Sequence, residues 1–167
     1  MILRCTAKVL HLLGIPAVSL TESAGLPTGD DWYMNLLWFS RQRCLLLTHA
    51  GTLFSVFVGP VRKADLLPIG PYVVNLVEAE LRSGSLPPDV FGPLDPDAIR
   101  LAKTASRSVL GCMNDTALHC EYEIGEAGGL MRCDIRALNH RLRRTIHSPV
   151  GYAYPIDLAA QRLRGRR

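Results

Sequence analysis

The sequence has no pair of cysteines at CxxC spacing, no glycine-rich phosphate loop and no lysine among its last 36 residues. It also lacks any stretch near the roughly 18 uninterrupted apolar residues that a membrane span requires, so no membrane partner is expected. Its cysteines are Cys5, Cys44, Cys112, Cys120 and Cys133. An odd set without metal-ligand spacing argues against a zinc knuckle or a disulfide framework and points to a reducing, cytoplasmic setting. Cys112 and Cys120 read as small buried hydrophobes. No metal or cofactor is expected. The apolar run Val9–Leu13 is broken by His11 and no small-residue cleavage site follows, so no secretory signal is expected either.

What is present is 167 residues with 48% apolar content, enough for one α+β domain spanning the whole chain. The net charge of +4 is unevenly spread. From Arg132 to Arg167 nine arginines face two acids, a net of +7, which leaves the rest of the chain at −3. A basic carboxyl-terminal fifth, with a tail from about residue 160, suggests a polyanion partner; solvated arginine on an exposed helix is the competing explanation.

The elements follow from local pattern. Ile2–Thr6 reads as a strand and Ala7–Leu13 as a helix stopped by Gly14, with Pro16 beyond it. Thr21–Asp31 is a turn-rich loop. Trp32–Phe39 is apolar on both sides, as in a central strand covered on each face. Cys44–Thr48 and Thr52–Val58 flank a short turn at His49, Ala50 and Gly51, predicting a hairpin with His49 exposed at its tip and an antiparallel meander overall. Tyr72–Arg82 is helical and ends at Gly84. A proline-rich loop then leads to a strand over Ala98–Thr104. A helix runs from a Ser106 or Ser108 cap to Ile124, the segment GEAGG breaks it, and a second long helix covers Leu130–Ile146. A last short helix is capped by Asp157. The expected architecture is a mainly antiparallel sheet of about four or five strands packed against two long helices on one face.

On the first long helix, Leu110, Met113, Ala117, Cys120 and Ile124 form one apolar stripe, with Asn114 near the core edge. Asp115 and His119 are an i, i+4 pair on another face, spaced so that a carboxylate can orient an imidazole acting as base. Arg107, with Ser108 and the free N–H groups of the helix start, could hold a phosphate or carboxylate. On the second helix, Met131, Ile135, Leu138 and Leu142 make the buried stripe. Arg132, Arg136, Asn139 and Arg143 recur on a different face and could track a phosphate backbone, with His140, Arg144 and His147 beside them. No RNP-like aromatic motif, zinc-finger spacing or helix-turn-helix pattern accompanies the row.

Asp31-Trp32-Tyr33 with Asn35-Leu36, RCLLLTHAGTLFS (Arg43 to Ser55), KADL (Lys63 to Leu66), RSVLGCMND (Arg107 to Asp115) and LNHRLRRT (Leu138 to Thr145) together resemble a bacterial family of domains of unknown function. RSVLG-x-MND is the most specific element of the resemblance. Where that pattern often has asparagine before the arginine and serine before Met-Asn-Asp, this chain has Ser106 and Cys112. The resemblance implies a shared fold and no particular activity. It draws Arg107, Ser108, Asn114, Asp115, Asn139 and Arg144 toward one pocket, between the long helices and the start of the meander.

Three functions are therefore expected to compete. The leading one is RNA binding through Arg132, Arg136, Arg143 and the carboxyl-terminal arginines. The second is an enzyme acting on a phosphate-bearing substrate, with Arg107 on the anion, His119 as base and Asp115 orienting it. The third is a protein-interaction module presenting Trp32 and Trp38.

Overall fold

The computed structural model describes residues 1–16, 20 and 25–164. Strands β1 (Ile2–Cys5), β2 (Trp32–Phe39), β3 (Gln42–His49), β4 (Ser55–Val58) and β5 (Arg100–Lys103) form one sheet in the order β4-β3-β2-β1-β5. Helices α1 (Ala7–Leu13), α2 (Ile69–Ser83), α3 (Arg107–Glu126), α4 (Ile135–Leu142) and α5 (Pro155–Arg164) accompany it.

The meander is present: β2–β3 and β3–β4 are antiparallel. Ser40 and Arg41, at φ 50° and 65°, turn β2 directly into β3, as a two-residue hairpin with both central residues left-handed requires. The sheet is nevertheless mixed, because β1 runs parallel to both β2 and β5. The chain reason is that α1 lies between β1 and β2, and a helical connection returns the chain to the end where it started. Gly14 closes α1 in the left-handed conformation, at φ 75°.

Both faces of the sheet are covered, where helices on one face were expected. Trp32, Met34, Leu36, Leu45 and Leu47 pack with α1 and α2, while Tyr33, Phe39, Cys44 and Leu46 pack with α3 and α4. The alternation in β2 and β3 is apolar on both sides, so each face needs a cover. Full burial of each such side chain contributes about 1.5–3 kcal/mol.

Three local expectations change. The second long helix is a short 3₁₀ turn, Leu130–Arg132, followed by the separate α4. Asp134 begins α4 by accepting a hydrogen bond from the Ala137 N–H at 2.9 Å, and Met131 is left exposed outside the stripe. The buried stripe of α3 is Val109, Cys112, Met113, Thr116, Cys120 and Ile124, so Leu110 and Ala117 lie at its margin and Asn114 is exposed instead of at the core edge. His49 is wholly buried: β3 extends through it, its ring sits 5.3 Å from Trp32 and 4.3 Å from Phe91, and Nδ1 pairs with the Thr52 hydroxyl at 3.0 Å. Thr21–Ala24, part of the predicted loop, and Arg166 and Arg167 of the basic tail lie outside the described residues.

Candidate functional site

α3 is fixed at its start by two hydrogen bonds. The Ser106 side chain accepts from the Val109 N–H at 3.3 Å, and the Ser106 N–H donates to the Tyr33 hydroxyl of β2 at 3.2 Å. Arg107 and Ser108 follow immediately, exposed on the first turn. One face of α3, running from Arg107 through Asp115 to His119, lines a cleft of about 510 Å³ whose opposite wall is the segment Thr145–Pro149 with Tyr152.

The histidine the cleft adds is His147. It is 8% exposed, lines the cleft and makes no side-chain hydrogen bond to another described residue. Burial pushes its pKa down; the nearby Asp115 carboxylate acts in the opposite direction and His119 reinforces the lowering. The ring is therefore neutral at pH 7, with lone pair and N–H both available. His119 is held by Glu123 through Nε2 at 3.3 Å, and Glu123 is held in turn by Arg141 at 2.7 Å. The carboxylate that orients His119 is thus Glu123 and not Asp115, because residues at i and i+4 meet on either side and Asp115 faces His147 across the cleft.

The structure brings Arg107, Ser108, Asp115 and His119 together, but not Asn114, which lies outside the cleft. The pocket is not between the two long helices and the meander, and Trp32 and Asn35 do not reach it. Sequence reasoning set His147 beside the arginine row; its place in the cleft depends on the turn at Ser148–Val150, which no local pattern announces.

The arginine row itself does not form. Arg132, Arg136 and Arg144 are exposed, but Asn139 and Arg143 point inward. The Asn139 carboxamide accepts from the Phe57 N–H at 2.7 Å and donates to the Phe57 carbonyl at 2.9 Å and to Glu80 at 3.1 Å. At Phe57 it pairs both backbone groups on the outer edge of β4, as a residue of a further strand would. Arg143, with a fully buried side chain, pairs with Glu80. A helix separated from its neighbour by a 3₁₀ turn carries the buried face of α4 through these positions.

The basic excess is also spent partly inside the fold. Among the described residues, Arg141, Arg143 and Arg162 pair with Glu123, Glu80 and Asp30, so carboxylates of the acidic body neutralise these arginines. Trp32 is buried, which removes it from any interaction face; Trp38 is 53% exposed with the Arg43 guanidinium 5.2 Å above its ring. Among the described residues no three His, Cys, Asp or Glu side chains gather as a metal-ligand set, and no helix is long and apolar enough to cross a membrane.

Fold and cleft define an α+β protein with a mixed sheet between two helical layers and a polar cleft along one helix. The chain belongs to the family described as Domain of unknown function (DUF6933), which it matches over residues 2–158. No curated protein and no solved structure matches it.

Proposed function

We propose that the protein binds a phosphate-bearing small molecule in the α3 cleft and transfers protons to or from it through His147 and His119. The observation that carries the reading is the convergence of Arg107, Ser108, Asp115, His119 and the nine-tenths-buried His147 on one cleft. A guanidinium and a helix start favour an anion, and a neutral imidazole beside it is the group that takes up a proton. Arg107 would hold the anion, His147 would act as base, and the Glu123-oriented His119 would carry the second proton. The protein is taken to work in a bacterial cytoplasm, where its five free thiols, four of them buried, stay reduced.

Calorimetric titration with inorganic phosphate tests the binding half of the reading. Saturable binding that Arg107→Gln weakens at least tenfold supports it; binding unaffected by that change removes it.

A second reading, attachment to a nucleic-acid backbone, rests on the exposure of Arg132, Arg136 and Arg144. Changing all three to glutamine should weaken RNA or DNA binding and flatten its salt dependence. Equal affinity of the variant and the unaltered protein for both nucleic acids ends that reading.

A further inference from the structure

We propose that the protein has a second ligand site, at the carboxyl ends of β1 and β5, and that it takes a small monocarboxylate with an apolar body. The two strands are parallel neighbours whose last residues, Cys5 and Lys103, are in register. From β1 the chain passes into α1 on one face of the sheet, and from β5 into α3 on the other. Connections that part in this way leave a crevice beyond the strand ends that neither helix fills, and ligands of open sheets with parallel strands lodge at such a point. A cleft of about 460 Å³ lies there, a size suited to a small molecule. It shares no lining residue with the α3 cleft, so this site stands apart from the phosphate reading and does not depend on it.

The lining decides the chemistry of the occupant. Cys5, Ala7, Leu10, Ile15 and Pro16 make most of it apolar, and no acidic side chain contributes. Burial pushes the Cys5 thiol up to about 12, so it stays neutral and adds no charge that would repel an anion. The polar groups are Lys103, Thr104 and His11. Lys103 is exposed and forms no ion pair with another described residue, so its ammonium is available to a ligand. Its backbone is held in place: Arg4 Nη1 donates to the Lys103 carbonyl at 3.3 Å, and the Arg4 charge is itself answered by Asp31.

These properties choose among small molecules. One ammonium beside one hydroxyl matches the single charge of a carboxylate, whereas a phosphate dianion takes more donors than this lining offers. A wholly apolar molecule would use the walls and leave the ammonium unanswered. A monocarboxylic acid uses both, with its carboxylate at Lys103 and Thr104 and its hydrocarbon part against Leu10 and Ile15.

The test titrates the full chain by calorimetry with butyrate, hexanoate and hexan-1-ol, and locates hexanoate by NOEs from its protons to the Leu10 and Ile15 methyls. Hexanoate is expected to bind saturably and at least tenfold more tightly than butyrate, since each buried methylene contributes about fourfold. It should also exceed hexan-1-ol at least tenfold, the worth of a hydrogen bond to a charged group. Lys103→Gln should bring hexanoate to the affinity of hexan-1-ol, and Lys103→Arg should retain most of the difference. Ala7→Trp, a change at an exposed position of the lining, should weaken both ligands. Equal affinity for hexanoate and hexan-1-ol overturns the carboxylate assignment, and the absence of saturable binding or of NOEs to Leu10 and Ile15 overturns the site. Loss of hexanoate binding in Arg107→Gln would place the acid in the α3 cleft and overturn the inference as well; failure of inorganic phosphate to bind the α3 cleft would leave it standing.

Discussion

Arg143, which caps the end of α4, and Glu80 of α2 are joined by two hydrogen bonds from one guanidinium nitrogen: Nη1 donates to the Glu80 carboxylate at 3.0 Å and to the Glu80 backbone carbonyl at 2.7 Å. The arginine side chain is fully buried, 6.0 Å from the Phe54 ring, and its backbone carbonyl receives the Ile156 N–H of α5. One residue thus ties three helices. Losing one member of a buried pair leaves the other charge uncompensated, which costs about 3–5 kcal/mol. Arg143→Met should therefore lower the unfolding free energy measured by urea titration by that amount, through a lower midpoint with little change in slope. A variant of unaltered stability whose only defect is in ligand binding would reverse the assignment of Arg143 to the interior.

Asn139 pairs the Phe57 backbone at the open edge of the sheet. Asn139→Leu keeps the volume and strips the Phe57 N–H and carbonyl of their partners, and each buried unsatisfied group costs about 1–3 kcal/mol. The expected result is a destabilised protein in which the Phe57 amide exchanges with solvent far faster than those of β3. Unchanged protection at Phe57 would show that the amide finds another acceptor.

His49 gives stability a defined pH dependence. Burial, assisted by the Arg162 charge and opposed by Asp30 and Asp31, lowers its pKa from 6.5 to about 3. Between those values the unfolded chain binds a proton that the folded chain does not, so the stabilising contribution is complete above pH 6.5 and is lost as the pH falls toward 3. The slope is about 1.4 kcal/mol per pH unit for one proton. His49→Phe should flatten the thermal midpoint profile between pH 6 and pH 4 relative to the unaltered chain; parallel profiles would mean that the ring is protonated in place.

These interior roles mark the limit of what the sequence discloses. β2, α1 and α3 are legible because their signals are local: Trp32–Phe39 alternates apolar on both sides, Gly14 stops α1, and Ser106 caps α3. The direction of β1 is not, since pairing with β5 about a hundred residues away is decided by tertiary packing. Asp134 caps α4 from within the 3.6-residue period that runs from Met131 through Leu142, so the apolar pattern continues unbroken across the turn that separates the two elements. Arg143 and Asn139 look like surface residues by type; only Glu80 and the bare edge of β4 make their burial favourable. Of the candidate site, four residues on α3 were legible because one helix face displays them, and His147 was not, because a turn delivers it.

Anion affinity of the cleft should rise as the pH falls. Sulfate keeps its charge across the range, so its titration isolates the protein. The groups facing His147 are Asp115, which favours its protonation, and His119, which opposes it. A bound dianion also favours the imidazolium, so binding takes up a proton and affinity should climb from pH 7.5 to pH 5.5. His147→Asn should reduce that climb at unchanged fold, and an identical profile in the variant would place the proton uptake elsewhere.

The most direct test of the cleft as the binding site is to follow the imidazole signals of all five histidines by two-dimensional NMR while inorganic phosphate is added. The account predicts saturable shifts of His119 and His147, abolished by Arg107→Gln, with His11 and His49 unmoved. Shifts confined to His140, or none that saturate, would contradict it.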